Sequence, residues 1–65
     1  MIYDNIIRLV EQKNLTIHAL EERAGLSNGT VRKWRRLKHS PRLENVVAVA
    51  KVLGVSINEL YKAGT

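Results

Sequence analysis

The sequence predicts an all-α protein, a compact bundle of five short helices. Apolar residues recur at spacings of three and four along most of the chain, and strand-like alternation is absent. Helix-ending residues, Asn14, Gly25 and Gly54, follow three of the periodic segments. No segment could bury its apolar stripe alone, so the helices must pack on one another.

The first helix carries Ile6, Leu9 and Val10 and ends near Lys13, with Asn14 suited to a left-handed cap. Thr16 is an N-cap for the second, which carries Ala19, Leu20 and Ala24 and stops at Gly25. Ser27 is the expected cap of the third, with Val31 and Trp34 on its inner side. Ser40 followed by Pro41 opens the fourth, because proline fits the first helical position. Its stripe is Leu43, Val46, Val47, Ala50 and Leu53, and Gly54 ends it. Ser56 and Glu59 make the S-x-x-E pattern of a capping box and start the fifth, with Leu60 and Tyr61 inside. Tyr3 is expected, like Tyr61, to pack at the bundle edge.

Sixty-five residues suffice for one small domain, expected to span 1–65, without linker, repeat or low-complexity segment. A core of this size rarely contributes more than roughly 3–5 kcal/mol. With no Cys there is no disulfide framework, thiolate metal site or thiol nucleophile. The opening stretch "MIYDNIIRLVEQK" is broken by Asp4, Asn5 and Arg8, unlike a signal peptide. The longest wholly apolar run, "VVAVA" from Val46 to Ala50, is far below the ~20 residues of a membrane span. A cytoplasmic protein with no membrane association is therefore expected. A net charge of +5 and a pI near 10.1 point to a polyanionic partner.

That charge is one-sided. From Arg23 to Leu43 the chain places seven of its eleven Lys and Arg residues and no Asp or Glu; the other four bases share the rest of the chain with all six acids. At about 100° per residue from Asn28, the residues Arg32, Arg36, Gly29 and Lys33 fall within an arc of roughly 140°, and Val31 and Trp34 point the other way. A major groove admits one α-helix; Arg and Lys donate to guanine O6 and N7, and Asn pairs twice with adenine N6 and N7. Gly29 has no side chain to hold a groove away, and Thr30 offers a methyl and a hydroxyl. Lys38, His39 and Arg42 follow in a loop, placed to hold the sugar–phosphate backbone. Trp34 lies opposite the basic arc, which favours a core role over a platform for stacked bases.

Nothing in the sequence supports an enzyme, a metal or a cofactor. His18 and His39 have no third ligand at useful spacing. Glu21 and Glu22 diverge by about 100° on a helix and make poor acid–base partners.

The stretch "LTIHALEERAGLSNGTVRKW" resembles the helix-turn-helix of the lambda-type repressor and Cro family, and "SPRLENVVAVAKVLGVSINEL" resembles that family's fourth and fifth helices. The resemblance covers nearly the whole chain, with the helix-turn-helix at about 16–36, and Leu-Ser-Asn-Gly before the third helix is similar to a phage-type subset. It implies a sequence-specific regulator of double-stranded DNA, bacterial or phage-encoded and acting as a repressor, bound as a homodimer to an operator. Base readers would be Asn28, Gly29 and Lys33, alongside Thr30 and Arg32. Phosphate contacts would come from Thr16, Ile17, Ser27, Arg36, Lys38 and Arg42, with His39 adding a weak one. The dimer surface implied is Val52, Val55, Ile57 and Tyr61. The length suits both a whole Cro-like regulator and the N-terminal domain of a longer repressor.

Three positions depart from the family pattern. Ile17 replaces a frequent Gln, leaving only its backbone N–H for a phosphate. Glu21 replaces a small residue, and its carboxylate is expected to accept from amides at the start of the third helix or to pair with a nearby base. Val10 and Arg35 stand where several relatives have an ion pair, so Arg35 is left to add to the positive surface. Two rival functions share the fold and charge: an antitoxin-like or partner-binding module, and charge-driven non-specific or RNA binding.

Overall fold

Five helices form within residues 2–36 and 41–62, the part of the chain described by the computed structural model. They are α1 (Ile2–Gln12), α2 (Ile17–Arg23), α3 (Thr30–Lys33), α4 (Leu43–Leu53) and α5 (Ile57–Tyr61). A 3-10 turn, Trp34–Arg36, continues α3, and there is no strand among the described residues. Helix α1 packs against α5, α2 and the 3-10 turn, while α2 lies on α3 and α4, and α4 on α5.

The helix ends follow from the residues placed there. Asn14, Gly25 and Gly54 all have positive φ, at 56°, 74° and 70°. Each closes the same two-bond motif: its own N–H donates three residues back, and the next N–H donates five residues back. The following residues, Leu15, Leu26 and Val55, are apolar and pack against the core, so each cap also fixes where the chain goes next. Thr16 begins α2 as expected, its Oγ1 accepting from the Ala19 amide at 3.0 Å.

Three other local expectations fail. Ser27 does not cap α3: its carbonyl accepts from Thr30 N in a turn, and the helix begins at Thr30 with Gly29 before it. Ser56 precedes α5 but makes no side-chain cap, because its carbonyl takes the Glu59 amide instead. Helix α4 begins at Leu43, with Pro41 ahead of the helix rather than in its first turn; Ser40 lies outside the described residues.

The core joins Ile6, Leu9 and Val10 of α1 to Leu20, Val31, Trp34, Val46, Val49, Ala50, Leu53 and Leu60. On α4 the buried stripe is Val46, Val49, Ala50 and Leu53, and Leu43, expected inside, is 63% exposed. The observed stripe is rotated by about 50° from the expected one. "VVAVA" is apolar on every side, so spacing alone does not choose between two stripes that both run i, i+3, i+4, i+7. Tyr61 is also turned outward, one residue beyond the buried Leu60 of a five-residue helix. Tyr3 is half-buried against the core edge, as expected.

One polar residue closes the bundle. Asn5 is buried in α1, and its Nδ2 donates to the carbonyls of Leu60 and Lys62, both at 2.8 Å. A single amide thus ties the first helix to the end of the last. Asn5→Ala is expected to destabilise the protein by about 1–3 kcal/mol, because it strands a buried carbonyl. A thermal melt reads this as a loss of roughly 4–8 °C per kcal/mol in a domain of this size. A variant melting with the native protein would show that the bridge contributes nothing.

Candidate nucleic-acid interface

The orientation of α3 is set from behind by two apolar side chains and one acid. Val31 is fully buried and Trp34 is 7% exposed, so this side of the helix is held by the core. Glu21, on α2, is 1% exposed, and both its oxygens are used: Oε1 accepts from Gly29 N at 3.0 Å and Oε2 from Val31 N at 2.8 Å. The expectation that Glu21 accepts from amides at the start of the third helix holds; no ion pair of Glu21 is found among the described residues. Of the two amides that a Ser27 hydroxyl could have capped, Gly29 N goes to Glu21 and Thr30 N to the Ser27 carbonyl, which leaves Ser27 in an ordinary turn.

Gly29 sits at φ 90°, a conformation that side-chain-bearing residues adopt at a cost. A β-carbon there would meet nothing within 4 Å. Backbone freedom, rather than lack of space, therefore requires glycine in this turn.

The helical wheel starting from Asn28 needs correction, since α3 starts at Thr30 and Asn28 and Gly29 lie in the turn before it. The basic side survives the correction. Arg32, Lys33, Arg35 and Arg36 are all exposed. Asn28 and Ser27 are exposed at the turn, while Gly29 and Thr30 are half-buried. Thr16 is exposed at the start of α2 and Ile17 is half-buried beside it. Arg42 is exposed with its Nη1 3.4 Å from Glu44 Oε1, a pair weakened by water on both sides. Lys38 and His39 lie outside the described residues. His18 is an exposed α2 residue whose Nε2 is 3.9 Å from Glu22 Oε2.

Folding brings Ile17, Arg32, Lys33 and Arg36 to one open groove of about 410 Å³, together with Tyr3 and Arg35. The acid-free charge run made Arg35 legible as a surface cation. Tyr3 gave no such signal, since only the packing of α1 on the 3-10 turn brings it there. Towards the C-terminus, Val52, Val55 and Ile57 are half-buried against the core and Tyr61 is exposed.

A short helix crossed behind a second, which turns an unopposed basic edge outward, defines a helix-turn-helix protein. A helix-turn-helix family model matches residues 6–60. The chain belongs to this lambda repressor/Cro-type family of DNA-binding regulators. No curated protein and no solved structure matches it significantly. No helix among the described residues is long and apolar enough to cross a membrane.

Proposed function

We propose that the protein is a transcriptional repressor that binds a double-stranded DNA operator as a homodimer, with α3 and its preceding turn in the major groove. The observation that carries this reading is the Glu21 clamp together with the burial of Val31 and Trp34, which holds α3 with its cationic side outward. In this reading Asn28, Gly29, Thr30, Arg32 and Lys33 face base edges, where Asn, Arg and Lys have matching donors and acceptors. Thr16, Ile17, Ser27, Arg36 and Arg42, with Lys38 and His39, hold phosphates on either side. One short helix spans too few base pairs for specificity, and a second copy supplies the other half-site about 34–36 Å away. Val52, Val55, Ile57 and Tyr61 form the surface between the two copies, with exposed Tyr61 the side chain gaining most burial.

Selection of bound sites from a random duplex library tests this reading as a whole. A palindrome with half-sites one turn apart is expected; a single half-site or no consensus would remove the dimer or the specificity. Lys33→Ala is expected to relax base preference at one position, at a cost of about 1–3 kcal/mol for the preferred base. Arg36→Ala is expected to weaken all duplexes alike and to make the log–log salt dependence shallower by about 0.9. Indistinguishable behaviour of the two variants in binding titrations would refute the division between reading and positioning residues.

A further inference from the structure

We propose that Asn28 is a site of spontaneous modification, where the side chain closes on the Gly29 nitrogen and reopens as aspartate or isoaspartate, at a rate set by Glu21. The chain has five asparagines, and the residues that follow them are Ile6, Leu15, Gly29, Val46 and Glu59. Four of these followers carry a side chain that crowds their backbone nitrogen, and Gly29 carries none. In the reaction the Gly29 nitrogen gives up its proton and attacks Cγ of Asn28. A C–N bond forms, the Cγ–Nδ2 bond breaks, and Nδ2 takes up the proton and leaves as ammonia. Water then adds to either carbonyl of the five-membered succinimide, and the opened ring carries a carboxylate. Asn28 is exposed. No atom beyond the chain neighbours lies within 4 Å of where a Gly29 β-carbon would stand, so the ring and the water both have room.

The fold holds this reaction back. The attacking nitrogen is the one whose N–H donates to Glu21 Oε1 at 3.0 Å, and a hydrogen bond to a carboxylate resists loss of that proton. The turn is also closed by Thr30 N, which donates to the Ser27 carbonyl at 3.1 Å. Gly29, at φ 90° and ψ −5°, has the angles of the third residue of a type II turn, and ring closure must rotate the peptide plane ahead of it. Conversion therefore waits for a local opening in which the turn leaves Glu21. A hydrogen bond to a charged group makes that opening rare enough to slow the reaction about ten- to a hundredfold relative to an unfolded chain. The product alters the turn in two ways. It puts a carboxylate into a stretch, Arg23 to Leu43, whose Lys and Arg charges are otherwise unopposed. Isoaspartate also adds one carbon to the main chain ahead of Gly29 N, so the bond to Glu21 cannot re-form in the same geometry. The functional consequence rests on the DNA-binding reading above: the new charge faces a polyanion, and binding is lost.

The test incubates the whole chain at mildly alkaline pH, folded and in guanidinium, and follows each asparagine by peptide mass. Conversion is expected at Asn28 ahead of the other four, and about ten- to a hundredfold slower in the folded chain. Glu21→Gln, held at a temperature where it is folded, is expected to convert about tenfold faster than the native protein. Asn5→Ala is the control, because it weakens the bridge between α1 and α5 without touching the turn, and is expected to convert more slowly than Glu21→Gln. No conversion in guanidinium, or equal rates folded and unfolded, overturns the proposal. A Glu21→Gln rate no faster than that of Asn5→Ala also overturns it, since unfolding of the whole chain would then be the route. Binding of aged protein to a random-sequence DNA duplex is expected to fall in step with conversion, and fresh Asn28→Asp is expected to bind as weakly as the aspartate product. Converted protein that binds like fresh protein would overturn the functional consequence. A fresh native chain that binds no duplex while Asn28 converts as expected would instead overturn the DNA-binding reading and leave the modification site standing.

Discussion

Trp34→Ala is expected to lose a large part of the protein's stability and to melt far below the native chain. Truncating a buried Trp costs about 3–5 kcal/mol, and small domains hold roughly 0.05–0.15 kcal/mol per residue in total. For 65 residues that total is about 3–10 kcal/mol. The side chain is 7% exposed at the junction of α3 and the 3-10 turn, where α1 also packs. Its removal opens a cavity that three elements would have to collapse to fill. Trp34→Phe keeps an aromatic ring in the site and is expected to stay folded with a lowered melting point. Far-UV circular dichroism during heating distinguishes the two. A cooperative melt of Trp34→Ala within a few degrees of the native one would mean that the indole is not part of the core.

Glu21→Gln is expected to destabilise the protein by about 1.5–3 kcal/mol, the range for hydrogen bonds to a charged group. The carboxylate accepts from two amides, Gly29 N and Val31 N, whereas a carboxamide has one acceptor oxygen and would turn an N–H2 towards the other donor. Glu21→Ala is expected to cost more, since both amides then lose their partner, the Val31 amide in a buried position. The clamp also sets the angle at which α3 leaves the turn, so duplex affinity should fall even at temperatures where Glu21→Gln is fully folded. Denaturant titration gives the first effect and a binding isotherm the second. A carboxamide variant with native stability would show that the two bonds are not what holds the helix.

The parts of the interface differ in how far the sequence reveals them. Arg32, Lys33 and Arg36 are legible because a basic run without acids next to buried Val31 and Trp34 leaves few options for its direction. Asn28 and Gly29 are harder: a cap rule that favours Ser27 puts them on the helix, and the fold puts them in the turn. The rule describes an isolated helix, whose first amides have only local partners or water. Here a carboxylate from α2 reaches those amides first. Glu21 is visible in the sequence as a departure from pattern, but two partners remain open to it there, and only packing chooses the amides. Asn5 gives no local signal of its bridge, and Tyr3 none beyond its packing at the bundle edge. Their roles come from α1 lying against the 3-10 turn and against α5, residues far along the chain.

The sequence alone determined the five helices, their left-handed ends at Asn14, Gly25 and Gly54, the Thr16 cap and the sign of the charged face. All of these depend on interactions spanning about five residues, which a linear pattern contains. The tertiary structure decided the rotation of α4 that exposes Leu43 and buries Val49, the start of α3, the Glu21 clamp, the Asn5 bridge and the groove shared by Tyr3 and Arg35. In each case the outcome depends on how elements distant in sequence are set against one another. Apolar spacing states which residues must be hidden, but where the apolar surface is continuous it leaves that angle free.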